Sequence, residues 1–555
     1  MASFYLEYRG RPDLAWGVHS DLSGEVFAHR NDALLMMSWG DPSIRIDQDA
    51  VRRALIAGTS PDIAGRSVLL MDKRTGATTV AVDRFGLYPA VVCRTPSGIA
   101  VASDLATLAR HRPAAFDHVD ADGFAMQLAI GQTLGTRTIW SQVRHLPGGS
   151  VFVREPGTNG TIRERKALRL PSRPVDRRDA LDRLVDAVDR RLKAADGTMI
   201  PLSGGLDSRL LLACALAAGH RPDTFSYGAA GSADLQIAEA LARQAGTAFS
   251  AGLIENATIA AHALDVARAG GGEVPVQHGH AILGAHALPD TIGRPVLTGT
   301  GSETFRAFYY DRGLPGMSAL GADLFTSRLR PHAMRWVEEH MAAGRLDALS
   351  AHAPALSTRL TETLRDRIGA TLDTAGDTAH GLDAVYLDLR VGRFVSAGQQ
   401  LLNRLHPRMH PFLDTDVVAG LSGLPVAWKT GARFHRWAIQ KLAPGLADVD
   451  WDRTGRPLSM GLSVGERWPG LAARLGLRAS YAKSGAPIAD YRGWAETVDV
   501  SATTATVLRR GGLSEAAGRP LADWIASLDR VHAAGILTAV DRAVGSRAVP
   551  LKEAA

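Results

Sequence analysis

The residues Ser203-Gly204-Gly205-Leu206-Asp207-Ser208-Arg209 carry the sharpest chemical signal in the chain. They follow a short apolar run, Thr198-Met199-Ile200-Pro201-Leu202, and open a helical stretch. Two glycines let backbone N–H groups approach an anion with no Cβ in the way. The N-terminus of the next helix adds unpaired donors and a positive partial charge. Ser203 and Ser208 add hydroxyls. A carboxylate at Asp207 opposes bare phosphate, but it suits a site where Mg²⁺ bridges it to phosphate oxygens. A Gly-Gly pair between strand and helix is usually a plain turn. The full string in strand–loop–helix context points instead to the magnesium pyrophosphate of a nucleotide.

Other reactive side chains say less. His278-Gly279-His280 places two imidazoles too sparsely for a metal site, so it reads as a loop or a pocket wall. Cys93 and Cys214 are the two cysteines and lie far apart. A zinc site and a disulfide scaffold are therefore not expected.

The elements that must hold the loop can be read from periodicity. In 177–195, Leu181, Leu184, Val185, Val188 and Leu192 recur on one helical face, and Gly197 closes the helix. A strand at 198–202, a helix at 210–218, a strand at 224–227 and a helix at 233–246 follow. Strand–loop–helix repetition of this kind predicts a parallel sheet with helices on its faces. Residues 1–153 differ. Ser67 to Met71, Thr79 to Val82, Ala90 to Cys93 and Ile99 to Ala102 read as strands. They are separated by Asp83-Arg84-Phe85-Gly86 and Thr95-Pro96-Ser97-Gly98. The stretch 154–176 is rich in Gly, Arg and Pro and reads as a linker. From about 315 to 545 the chain reads as largely helical. The expected class is α/β: a mostly β first domain, and a parallel-sheet domain with a large helical part over 177–555.

Composition sets limits. The chain has 555 residues, 46% hydrophobic and 22% charged, which excludes a disordered or low-complexity protein. At roughly 100–200 residues per domain, this length predicts two to four domains. The net charge of +6 is small for this length. Of the 63 basic residues seven are lysine, and no basic block forms an arm, so nucleic acid is not an expected partner. Early charge argues against a secretory signal, and no apolar run reaches membrane-span length. A cytoplasmic protein with no membrane partner is expected.

The Ser-Gly-Gly-Leu-Asp-Ser string resembles the pyrophosphate loop of the N-type ATP pyrophosphatases, and specifically of the asparagine synthetase family. Those enzymes adenylate a carboxylate and let an amine displace AMP. The resemblance implies ATP and Mg²⁺ as cofactors. It extends to Thr224-Phe225-Ser226-Tyr227-Gly228 with Asp234, Ile237 and Ala238, which look like the strand and helix that hold adenine. Leu297-Thr298-Gly299-Thr300-Gly301-Ser302-Glu303 resembles the family's second glycine motif, with Glu303 at an acidic metal-holding position. Thr300 and Thr304 replace acids there, so the metal site is thinner than the family pattern. His410-Pro411-Phe412-Leu413-Asp414 is similar to a further helix entry of the family.

The resemblance assigns cofactor contacts to Ser203, Gly204, Gly205, Leu206, Asp207, Ser208, Tyr227, Gly228, Gly299 and Gly301. Asp207 and Glu303 become the metal-holding pair. Relatives use a lysine after the last core helix. Here the C-terminal half offers only Lys429, Lys441, Lys483 and Lys552. The matching segment is Trp451-Asp452-Arg453-Thr454-Gly455-Arg456-Pro457. Arg456, or Arg453, is then the expected pyrophosphate or oxyanion clamp. Lys441 reads as a solvated helix residue. Asp388-Leu389-Arg390-Val391-Gly392-Arg393 reads equally as the acceptor side or as a salt bridge.

Val80 to Pro89, Ala102-Ser103-Asp104, Thr136-Arg137-Thr138-Ile139 and Leu146-Pro147-Gly148 resemble landmarks of class II glutamine amidotransferases, which have an Ntn-hydrolase sandwich. Those enzymes use an N-terminal cysteine whose own amine is the base. Here residue 2 is Ala, and Ser3 is one residue too far in. Glutamine hydrolysis is not expected, so the amine must come from elsewhere. Relatives lacking this cysteine, the β-lactam synthetases and lasso peptide cyclases, take the amine from the substrate itself. The expectation is macrolactam closure of a peptide, with a precursor-processing protease as a possible partner. The alternatives are glutamine-independent amide ligation on a small-molecule carboxylate, or a non-catalytic ATP-binding homologue.

Overall fold

The computed structural model describes residues 4–8, 19–20, 27–30, 34–57, 63–95, 98–165, 167–171, 173–310, 330–461 and 489–543. Ala2, Ser3, Pro96, Ser97, Lys483 and Lys552 lie outside them, as do 311–329 and 462–488 of the expected helical region.

The N-terminal part, whose short apolar runs predict strands, forms a pair of antiparallel sheets among the described residues. One sheet of five strands runs His19–Ser20, Phe4–Tyr8, Gly98–Ala102, Ala90–Thr95, Val143–Leu146 in spatial order. The other has six: Thr161–Arg163, Val151–Arg154, Thr78–Ala81, Arg66–Asp72, Leu34–Gly40, Phe27–Arg30. Phe4, Trp39, Leu69, Val80 and Val91 are among its buried core residues. The linker expected over 154–176 is partly a strand. Thr161–Arg163 pairs antiparallel with Val151, Phe152 and Val153, so the first domain's sheet extends past residue 153. Gly160 and Pro171 mislead a composition-based reading, because a three-residue edge strand carries almost no periodic signal.

The helix Arg177–Ala194 begins at Asp176, whose side chain accepts from the Arg178 N–H as an N-cap. It buries Ala180, Leu181, Leu184, Ala187 and Val188 on one face. Five strands then form a wholly parallel sheet in the order Phe249–Leu253, Asp223–Gly228, Met199–Pro201, Val296–Leu297, Arg408–Met409. The chain starts this sheet in the middle, moves outward through two strands, then returns to add the fourth strand on the other side of the first. The reversal lies between Met199–Pro201 and Val296–Leu297. Crevices at the carboxyl ends of strands flanking such a reversal are where open parallel sheets bind ligands. Both glycine motifs leave the sheet there.

The two halves share one continuous apolar core, and polar contacts tie them together. The Tyr88 hydroxyl donates to the Arg408 carbonyl at 2.7 Å, beside the last strand of the parallel sheet. Trp140 Nε1 donates to the Gly271 carbonyl at 2.9 Å. The buried Arg191 guanidinium joins Asp41 of the first domain to Asp414, each at 3.1 Å. No helix among the described residues is long and apolar enough to cross a membrane.

Candidate active site

The loop after Met199–Pro201 leads into a helix with no side-chain cap. Gly205 takes the N-cap position of helix Leu206–Ala217 and supplies no side-chain cap. The first N–H groups of that helix therefore have no side-chain acceptor, which is the condition for anion binding. The Ser203 N–H donates to Ser208 Oγ at 3.2 Å, and the Gly205 N–H to Ser203 Oγ at 3.3 Å. The Gly204 N–H donates to Asp234 Oδ1 at 2.9 Å, which ties the loop to the helix Ala233–Ala245. A Cβ on Gly204 would lie 2.5 Å from the Asp452 Cβ, so only glycine fits.

The second motif follows Val296–Leu297 and turns at Gly301, whose φ of +89° favours glycine. A Cβ on Gly299 would stand 2.8 Å from the Asp207 Cβ. The two loops are thus in backbone-to-side-chain contact. The turn Ser302–Arg306 then surrounds Asp207 with groups that the sequence reading passed over. Ser302 Oγ donates to Asp207 Oδ1 at 2.7 Å, and Arg306 pairs with Asp207 Oδ2 at 2.7 Å. His435, fully buried on helix Arg433–Leu442, places Nε2 2.6 Å from Ser302 Oγ. Ser302 has one proton and gives it to Asp207, so His435 must donate from Nε2. Its Nδ1 then presents a buried lone pair with no partner. Burial and the Arg306 cation hold His435 well below the usual histidine range, hence neutral.

Glu303 sits beside this cluster, with Tyr386 near its carboxyl. Burial first, and the Asp207 charge second, push its carboxyl up to about 6 against the opposing pull of Arg306. Two carboxylates and one guanidinium therefore form a compact charged centre at the sheet reversal. Its hard oxygen donors match what Mg²⁺ prefers. Asp207 and Glu303 would hold that ion, with Arg306 giving up its share of Asp207.

Thr300 is buried in a neutral relay. Thr298 Oγ1 donates to Thr300 Oγ1 at 3.0 Å and lies 2.6 Å from His410 Nδ1. Thr304 is buried too, but its Oγ1 has no hydrogen-bond partner among the described residues. Tyr227 and Gly228 end the strand Asp223–Gly228, with the Tyr227 ring packed on Gly284. Leu206 and Ser208 are buried in the first turn of their helix.

Arg456 lies on a two-stranded hairpin, Asp450–Trp451 with Arg456–Pro457. The Asp452 N–H donates to the Gly204 carbonyl at 3.2 Å, which seats the hairpin on the first glycine loop. The Arg456 guanidinium makes no hydrogen bond or ion pair with a described residue. Arg453 is drawn to the Trp451 ring at 5.6 Å. The buried Arg209 locks the hairpin through the carbonyls of Val449 and Asp450, at 2.8 and 2.6 Å.

Several candidates serve packing instead. Asp388 pairs with Arg165 at 2.6 Å, and Arg393 bonds Thr133 and the Arg137 carbonyl in the first domain. Arg390 stacks on the Phe394 ring at 4.2 Å. His278 packs edge-on against Phe394, and His280 Nδ1 lies 3.3 Å from the Tyr491 hydroxyl. Lys441 is exposed over Trp437, as its helix position predicts. Lys429 is buried in an ion pair with Asp383 at 2.8 Å. Cys93 and Cys214 are both free and buried.

No curated protein matches the chain. The family model described as asparagine synthase matches residues 179–451, just under half of the chain, from the helix before the first glycine loop to the hairpin after the last. That match covers both glycine motifs and supports the asparagine synthetase family, whose members are ATP-dependent amide-forming ligases, for this chain.

Proposed function

We propose that this protein activates a carboxylate with ATP and joins it to an amine, and that both groups belong to one peptide, so that a macrolactam forms. The carboxylate oxygen attacks the α-phosphorus and pyrophosphate leaves. The amine then attacks the acyl carbon and expels AMP, losing its proton to solvent or base. The observation that carries this reading is the convergence of two glycine loops and an uncapped helix N-terminus at the sheet reversal, around Asp207.

Ser203 and Ser208 would hold the phosphates through their hydroxyls, beside the uncapped first turn of Leu206–Ala217, with Gly204 and Gly205 leaving the approach free of a Cβ. Mg²⁺, held by Asp207 and Glu303, would neutralise the pyrophosphate. Arg456, on the hairpin that Asp452 seats on Gly204, would clamp phosphate oxygens bidentately.

ATP–pyrophosphate exchange tests the activation step. Wild type should show Mg²⁺-dependent exchange that requires a carboxylate substrate, and Asp207→Ala should lose most of it. Equal exchange in both would remove Asp207 from the chemistry. Mass loss of one water from a linear peptide, without added amine, tests ring closure. A product that forms only when an external amine is supplied would favour ligation of separate molecules.

A further inference from the structure

We propose that His262, Asp265 and His286 form a binding site for a zinc-class divalent transition metal, separate from the glycine loops. His262 and Asp265 are three residues apart on helix Asn256–Ala269, so they share one face. His286 comes from the next helix, His280–Ala287. His262 Nδ1 lies 3.0 Å from Asp265 Oδ2, and His286 Nε2 lies 3.7 Å from the same oxygen. All three ligand atoms fall within 4.8 Å of one another. A tetrahedral ion with bonds of about 2.0–2.1 Å sets its ligands about 3.3 Å apart, and the observed distances bracket that value.

A further feature points to an ion rather than to a plain histidine–aspartate pair. His286 Nε2 is buried and has no hydrogen-bond partner among the described residues, so a lone pair or proton is left unanswered. The His262 and His286 rings stack with centroids 3.5 Å apart and planes 17° apart, so one imidazole must turn out of the stack for both to share the ion. Two imidazoles with one carboxylate select zinc-like metals over Mg²⁺ or Ca²⁺, which prefer all-oxygen sites. The side chains are 27%, 39% and 14% exposed, so an ion can enter from solvent and keep water as its fourth ligand.

The site would brace the wall behind the nucleotide strand. Gly284, on the same helix as His286, packs so closely on Tyr227 that a Cβ there would stand 2.3 Å from the ring. An ion tying the two helices together holds that helix against the strand.

Titration of the full-length, chelator-treated protein with Zn²⁺, and with Co²⁺ as a spectroscopic probe, tests the proposal in millimolar Mg²⁺. Wild type should bind one equivalent, show the visible bands of tetrahedral Co²⁺ and gain thermal stability with Zn²⁺. His286→Gln and His262→Ala/Asp265→Asn should each weaken binding by more than the roughly 10–100-fold that even outer-shell losses cost. Asp207→Ala should bind Zn²⁺ as wild type does, which separates this site from the proposed active site. Undiminished binding in both ligand variants, or no stoichiometric binding in wild type, would overturn the proposal.

Discussion

Asp207 is the residue on which the site turns, and its surroundings give it a defined state. Ser302 fills one oxygen and Arg306 the other. Glu303, raised to about 6 by burial and by Asp207, is the group that titrates nearest to neutrality in this cluster. If the ionised form of Glu303 holds Mg²⁺, Mg²⁺ affinity should rise with pH through a limb near 6. Arg306 favours the charged form, so Arg306→Gln should move that limb to higher pH. Mg²⁺ titrations across pH would show it, and an unmoved limb would separate Glu303 from the metal. Asp207 and Glu303 were both legible as acids in glycine motifs. Ser302 and Arg306 lie within or beside the second motif, yet nothing in their types marks them until the turn folds over Asp207. His435 was not legible at all: it lies more than a hundred residues away, and only tertiary packing brings it to Ser302.

At the scale of elements, the site depends on two close approaches that exclude side chains. Gly299→Ala would force its Cβ against Asp207, and Gly204→Ala would force its own against Asp452. Overpacking of this kind costs about 1–3 kcal/mol. Each variant should lose nucleotide affinity by a comparable free energy while remaining folded, as titration with ATP would measure. The buried Lys429–Asp383 pair makes a different prediction. Lys429→Met would leave Asp383 charged and buried without its cation, a loss of about 3–5 kcal/mol in denaturant unfolding. If stability is unchanged, Asp383 is already neutral, in keeping with the upward push of burial on its carboxyl. The strand–loop–helix order was legible from apolar runs and caps. The strand order was not, because sequence spacing does not say on which side a returning strand is added. That order creates the reversal where the two loops meet. The edge strand Thr161–Arg163 was hidden for the opposite reason, since three residues are too few to show a period.

For the whole molecule, the antiparallel-sheet part belongs to the architecture that holds the parallel sheet. Its Tyr88 supports the end strand of the parallel sheet, and His145 meets Glu273 at 2.7 Å across the junction. Burial works against the Glu273 charge, but His145 and Arg393 more than offset it and hold its carboxyl below the usual range. Its contribution to stability is present above the ordinary glutamate range and lost as pH falls through the depressed value. Glu273→Gln should therefore flatten the acid limb of the stability curve. The central claim is that the turn around Gly205 grips the triphosphate so that a carboxylate can be primed. A crystal structure with Mg²⁺ and a non-hydrolysable ATP analogue tests it most directly. The account predicts phosphates on the N–H groups of the loop and of the first turn of Leu206–Ala217, with metal at Asp207. A nucleotide bound elsewhere, with that turn empty, would contradict it.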